Sequence, residues 1–83
     1  MPQVTIKLGN EDFDIEYIRN DVNAEVFIEV KVLEERIKEY TGANFTIKIN
    51  HNIVSYPLHG FADKILKEQI TTEIFKKEQI IGF

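Results

Sequence analysis

The sequence predicts an α+β fold in which a mixed sheet of about five strands carries one main helix packed on one face. Two segments alternate apolar and polar residues on either side of a turn, a pattern typical of β-hairpins. Residues 33–40 (LEERIKEY) have the apolar spacing of an amphipathic helix. Residues 71–76 (TTEIFK) are β-branched and aromatic without Gly or Pro, which favours a last strand.

The first hairpin is predicted in the opening residues. A turn over residues 9–12 predicts three apolar pairs on one face: Leu8 with Phe13, Ile6 with Ile15, and Val4 with Tyr17. The same register places Lys7 opposite Asp14 on the other face. One apolar face and one face with matched charges are typical of a sheet with one wet side.

Residues 20–42 fit two templates. The helical template has an apolar stripe, with Asp21 or Asn23 as the N-cap and Gly42 just past the end. That stripe consists of Val22, Val26, Val30, Leu33, Ile37 and Tyr40. The strand template uses the alternation of Val26, Ile28, Val30 and Val32, whose β-branched side chains favour it. We assign a helix over residues 23–41, and residues 24–32 stay open between helix and strand.

The second hairpin covers residues 44–58. A tight turn at His51 and Asn52 predicts three more apolar pairs: Ile49 with Val54, Ile47 with Tyr56, and Phe45 with Leu58. Because Pro57 lacks a backbone donor, the strand that contains it should be short and at an edge.

The segment after the second hairpin is predicted as a loop with one or two helical turns that place Phe61, Ile65 and Leu66 on the core. A helix running through Lys77 is the competing interpretation, and the β-branched run at residues 71–76 favours the strand. The predicted core contains Val4, Ile6, Ile15, Leu33, Ile37, Ile47, Ile49 and Ile74.

Composition limits the function. The chain has 83 residues, enough for one domain, and a formal net charge of −4, which argues against a nucleic-acid partner. It has no cysteine, so thiolate chemistry and cysteine-bound zinc are excluded.

We expect no leader and no membrane span, and therefore a cytoplasmic protein. His51 and His59 lie in predicted loops without a ligand set, so no metal site is assigned. No catalytic constellation and no cofactor motif is present, and we expect no enzyme activity in its own right.

The predicted order of elements resembles the ubiquitin-like β-grasp fold, and most closely the small sulfur carriers of thiamin and molybdopterin biosynthesis. The resemblance depends on the order and spacing of five segments, none of which is a specific motif alone. They are VTIKLGNEDFDIE (4–16), VLEERIKEYTG (32–42), FTIKINHNIV (45–54), FADKILKE (61–68) and TTEIFKKEQIIGF (71–83).

The resemblance implies a function for the C-terminal tail. In the carrier family an E1-like adenylating enzyme activates the terminal carboxylate, which becomes a thiocarboxylate and delivers sulfur to a synthase subunit. The corresponding tail begins at about residue 78 and contains Ile80, Ile81, Gly82 and Phe83. The carriers end in Gly-Gly, whose lack of side chains lets the tail enter a narrow channel, whereas this chain ends in Gly-Phe. The alternative is a β-grasp interaction module in which the sheet face or an edge strand binds another protein.

Overall fold

The α+β class is confirmed by the computed structural model, which describes residues 2–80. A curled five-stranded sheet packs against two helices. The strands are β1 (Gln3–Leu8), β2 (Glu11–Val22), β3 (Glu25–Val32), β4 (Asn44–Asn50) and β5 (Ile53–Ser55). The helices are α1 (Glu35–Thr41) and α2 (Phe61–Glu78).

The sheet is a meander in the order β1-β2-β3-β4-β5, and each strand is antiparallel to the next. The prediction of a mixed sheet is therefore wrong for the described strands, and the β-grasp connectivity is not confirmed. Short connections explain the meander, because an antiparallel neighbour needs only a tight turn whereas a parallel neighbour needs a long crossover.

The first hairpin has the predicted apolar face but a different register. Its turn consists of Gly9 and Asn10 alone, and Gly9 has a φ of 66°. The pairs are consequently Val4 with Ile15 and Ile6 with Phe13, two positions away from the prediction. A shift by two residues leaves every side chain on its own face, so the apolar set is still buried.

The predicted pair of Lys7 and Asp14 is wrong for the same reason. Lys7 lies opposite Asp12, with Nζ and Oδ1 3.9 Å apart, and Asp14 lies opposite Thr5. The Thr5 hydroxyl donates to Asp14 Oδ1 at 3.0 Å. Both pairs are exposed, as expected for the wet face.

Residues 25–32 form strand β3, so the helix assigned over residues 23–41 is wrong in its first half and the strand template is correct. A two-residue turn starts at Asn23, with a φ of 57°, and returns the chain along β2. The helix begins only at Glu35 and ends as predicted at Gly42, whose N–H donates to the Lys38 carbonyl at 2.9 Å.

The second hairpin confirms the predicted turn and the pair of Ile49 with Val54. Strand β5 is short and lies at the edge of the sheet as predicted, but it ends at Ser55 and does not contain Pro57. The ladder stops there, and the predicted pairs beyond it do not form.

Residues 71–76 belong to helix α2, so the predicted last strand is wrong and the competing helix is correct. Leu66, Ile70 and Ile74 recur every four residues and are all buried, which a helix achieves on one face. The Thr72 hydroxyl donates to the Glu68 carbonyl at 2.8 Å, which accommodates a β-branched residue within the helix.

The core lies between the concave face of the sheet and the two helices. It consists of Val4, Ile6, Phe13, Ile15, Tyr17, Ile28, Val30, Val32, Ile37, Phe45, Ile47, Ile49, Leu66, Ile70 and Ile74. Of the predicted core only Leu33 is missing, since it is 51% exposed where β3 ends. Phe61 and Ile65, which were expected on the core, are exposed on the first turns of α2.

Candidate functional site

The two outer strands of the sheet, β1 and β5, differ in what covers them. Helix α2 packs along β1 and supplies side chains to its open edge. The Gln69 Oε1 atom accepts from the Lys7 N–H at 2.6 Å, and Lys77 Nζ donates to the Gln3 carbonyl at 2.6 Å. Because unpaired backbone groups on an edge attract other strands, these two bonds hinder a further strand from pairing along β1.

The edge of β5 is open, and its geometry follows from the turn before it. His51 and Asn52 have φ values of 51° and 64°, as in the two-residue turns that suit hairpins. Asn50 and Ile53 flank that turn and exchange backbone hydrogen bonds, so the next pair, Ile49 and Val54, is a non-hydrogen-bonded pair. The N–H and C=O of Val54 therefore point away from β4, and no further strand pairs with β5 within residues 2–80.

A groove of about 1180 Å³ lies between this edge and helix α2 and is open to solvent. Its sheet side is formed by Val54, Ser55, Tyr56 and Leu58. Its helix side is formed by Glu68, Thr71, Thr72, Phe75, Lys76, Gln79 and Ile80. Apolar side chains thus line a channel next to free backbone donors and acceptors.

The interior of the groove is aromatic. The Tyr56 ring packs against Phe45 in a tilted arrangement, with centroids 6.3 Å apart. Burial raises the pKa of Tyr56 and the charge of Glu68 raises it further, whereas the Thr71 hydroxyl acts in the opposite direction. Tyr56 is therefore a neutral phenol at neutral pH, and the negative charge of Glu68 acts on it.

The outer wall of the groove has a charge at each end. Glu68, Thr72 and Lys76 are exposed and follow one another at four-residue intervals, so they form one row along α2. Glu68 lies 4.0 Å from Lys64, and Lys76 lies 3.4 Å from Glu73. Exposed pairs of this kind contribute at most about 1 kcal/mol, so both groove charges are available to a ligand.

A buried ion pair fixes the beginning of α2 to the loop after β5. Lys67 is 0% exposed, and its Nζ donates to the Pro57 carbonyl at 2.6 Å and lies 3.1 Å from Asp63 Oδ2. The His59 N–H donates to the same carboxylate oxygen at 2.7 Å. The Lys67 ammonium also lies 4.8 Å from the centre of the Phe45 ring, a cation–π distance.

The end of α2 is fixed to strand β2. The buried Tyr17 hydroxyl donates to Glu78 Oε2 at 2.6 Å, and Arg19 Nη1 lies 3.5 Å from Glu78 Oε1. Burial, together with the hydrogen bond and the charge of Glu78, raises the pKa of Tyr17 to about 12. With both ends of α2 attached, the width of the groove is set by the fold.

The residues predicted from the sequence as a functional tail lie at one end of this groove or outside the described residues. Ile80 is half-buried, packs against the core and lines the groove. Ile81, Gly82 and Phe83 lie outside the described residues. No group of His, Asp or Glu side chains suitable for a metal ion occurs within residues 2–80.

Sequence reasoning missed the groove because it placed residues 71–76 in the sheet. Pro57 was the available signal, since it marked β5 as a short edge strand with nothing beyond it.

In the part of the chain that the structure describes, no helix has the length and apolar character needed to cross a bilayer. Comparison with known proteins finds no matching family model, curated protein or solved structure.

Proposed function

We propose that this chain is a protein-interaction module that binds an extended peptide segment as a sixth strand on the edge of β5. The observation that carries the proposal is the contrast between the two sheet edges. Helix α2 bonds to outward backbone groups of β1, whereas the outward groups of Val54 have no strand partner within residues 2–80 and lie beside a groove. Strand addition uses the free backbone groups for affinity and the adjacent groove for side-chain selection.

The shape of the groove favours a strand over a small molecule. Small-molecule pockets are mostly about 300–1,000 Å³ and enclose most of the ligand. This groove is larger, open to solvent, and bounded along one side by the free edge of β5. An extended chain uses that edge, whereas a compact ligand would leave the outward groups of Val54 in water.

The attachments of α2 also support the proposal. Lys67 holds one end of the helix and Glu78 the other, so the groove exists before a ligand arrives. A preformed site loses little conformational entropy on binding. Only the peptide has to become ordered when it binds. A short peptide should bind with a dissociation constant on the order of 1 mM, which corresponds to a binding free energy of about 4 kcal/mol.

The direct test is an NMR titration with a synthetic neutral heptapeptide of sequence TQTVTQT. Its valine should lie opposite Val54 and exchange two backbone hydrogen bonds with it. We expect amide shift changes concentrated on β5 and on the groove side of α2, around Val54, Tyr56, Thr72 and Phe75.

Two blocking experiments distinguish strand addition from non-specific binding. Val54→Pro removes the outward N–H without removing a bond of the sheet, because proline is tolerated where that group faces solvent. Val54→Ala is its matched control, since it loses the same side-chain packing and keeps the N–H. Binding should be lost in Val54→Pro and kept in Val54→Ala. A peptide N-methylated at its valine should fail with the unaltered protein, which tests the same bonds independently of how the variants fold.

Shift changes on another surface, or equal binding by the N-methylated peptide, would refute the proposal. A second copy of the chain is the competing occupant. Concentration-dependent self-association that Val54→Pro abolishes, with no binding of the peptide, would assign the edge to a dimer and overturn the peptide-binding function.

The sulfur-carrier function, with its E1-like adenylating enzyme and its β-grasp fold, stays a prediction from resemblance. One of the five segments behind it has a different structure from the one expected, because residues 71–78 belong to α2 and not to a last strand. Ile80, which belongs to the tail that this function requires to project from the domain, packs against the core. The interaction module is therefore the better supported of the two.

A further inference from the structure

We infer that the bound segment runs antiparallel to β5 and has the pattern basic–x–apolar–x–acidic, read from its N-terminus. The inference depends on the proposed function and specifies the class of partner that the groove selects. It follows from the direction of α2, from the two charges on that helix and from the spacing of residues in a strand.

Helix α2 runs opposite to β5. Near the beginning of the helix, Lys67 bonds to Pro57, which follows the end of β5. At the other end, Ile80 and Asn52 line one small cleft, and Asn52 precedes the start of β5. A segment antiparallel to β5 therefore runs in the same direction as α2 and passes Glu68 before Lys76.

The antiparallel direction agrees with the rest of the sheet. All four ladders of the described sheet are antiparallel, and antiparallel pairing is slightly more stable per residue than parallel pairing. It also lets Val54 form both of its outward hydrogen bonds with a single partner residue.

The charges on α2 match the spacing of a strand. Glu68 and Lys76 are eight positions apart on one helix, which places them about 12 Å apart along its axis. In a strand, residues four positions apart lie on the same face and about 13 Å from each other. A basic side chain opposite Glu68 therefore sets an acidic side chain opposite Lys76.

Thr72 is midway between the two charges along α2 and lines the same groove as Val54, so we assign the central residue of the segment to the position opposite Val54. Its side chain is on the same face as that of Val54, which is half-buried and packs against the core. Thr72 and Phe75 line this part of the groove from the helix. An apolar residue fits here, and the two alternate positions of the segment face away from α2.

The test compares two peptides of identical composition, TKTVTET and TETVTKT, in the same NMR titration. The first has the inferred polarity and should bind about tenfold more tightly, because the exchange converts two attractive exposed contacts into two repulsive ones. The preference should decrease as salt is added, since these charges are at the surface.

Charge-reversed variants test whether α2 is the cause. Glu68→Lys combined with Lys76→Glu should reverse the preference, so that TETVTKT binds more tightly. The matched control, Glu29→Lys with Lys31→Glu, makes the same exchange on exposed residues of β3. That variant should keep the preference of the unaltered protein.

The outcomes distinguish the two claims. Equal binding of both peptides and of TQTVTQT at β5 would overturn the charge pattern and leave the peptide-binding function standing. A preference of the unaltered protein for TETVTKT would overturn the inferred direction. Absence of binding by all three peptides would reject the proposed function itself.

Discussion

Replacing Lys67 with methionine tests the buried ion pair that builds one end of the groove. Lys67 and Asp63 are 0% and 3% exposed, and their Nζ and Oδ2 atoms lie 3.1 Å apart. Methionine keeps most of the length and the apolar stem of lysine. The substitution therefore removes the ammonium and leaves the Asp63 carboxylate buried with only the His59 N–H as donor.

The expected loss is large for a domain of this size. Removing one member of a buried ion pair costs about 3–5 kcal/mol, because the remaining charge is no longer compensated. A chain of 83 residues has a total stability of about 4–12 kcal/mol at the usual value per residue. With a urea dependence of about 1 kcal/mol per molar, the midpoint of unfolding should fall by about 3–5 M.

Urea unfolding followed by circular dichroism measures this loss, and Lys64→Met is the matched control. Lys64 lies on the same helix, is more than half exposed, and forms an ion pair with the exposed Glu68, so its replacement should cost at most about 0.5 kcal/mol. The double variant Lys67→Met with Asp63→Asn removes both charges and keeps an oxygen for the His59 N–H, so it should recover most of the loss. If Lys67→Met unfolded at the same urea concentration as Lys64→Met, the argument from burial would be refuted.

Three further predictions concern pH, the core and the tail. The pKa of Tyr17 is raised to about 12 in the folded state, so its contribution to the free energy of unfolding is complete below about pH 10 and is lost as the pH rises towards 12. Between these pH values the free energy of unfolding measured with urea should fall by about 2–3 kcal/mol less in Tyr17→Phe than in the unaltered protein. Ile37→Ala should cost about 2–5 kcal/mol in the same assay because Ile37 is 0% exposed, and an unchanged midpoint would contradict its place in the core. The interaction module predicts no adenylate exchange with a carrier-activating enzyme and ATP from either the intact chain or Phe83→Gly. Recovery of exchange by Phe83→Gly would favour the sulfur carrier instead.

The hairpins were predictable from the sequence to the extent that alternation determines which face a residue occupies. Ile6 and Ile15 are buried as expected although their partners differ by two positions. The face depends on a period of two, whereas the register depends on the turn, and Gly9 allowed a two-residue turn where four were expected.

The two errors in secondary structure, at residues 25–32 and 71–76, have a common cause. Each segment was assigned from its local preference for helix or strand, without the residues that contact it from distant parts of the chain. Residues 25–32 pair with both β2 and β4, which decides for a strand in a segment that fits both periods. Residues 71–76 have strand-forming side chains, yet Ile70 and Ile74 continue a buried helical stripe from Leu66. Tertiary packing outweighed the preference of two threonines.

The candidate site was harder to predict than the fold because it depends on burial. Asp63 and Lys67 are spaced like an ordinary exposed pair on a helix, but Pro57 and the Phe45 ring contact Lys67 in the folded chain. Glu68 and Lys76 also have the pattern of a solvated helix face. Their significance comes from the packing of α2 beside β5, which was missed because residues 71–76 were predicted as a strand.

The structure of residues 71–76 is also the reason why we propose the interaction module over the sulfur carrier. As a strand they would have been part of the sheet, and the tail would have projected from its end as the sulfur carriers require. As a helix they lie across the opening of the curled sheet, where Gln69 and Lys77 occupy the edge of β1. The helix is held on that side, and the space that remains lies between α2 and β5. The same element therefore bonds to one edge of the sheet and forms the wall of a groove at the other, which is why we propose Val54 as the place where a peptide binds.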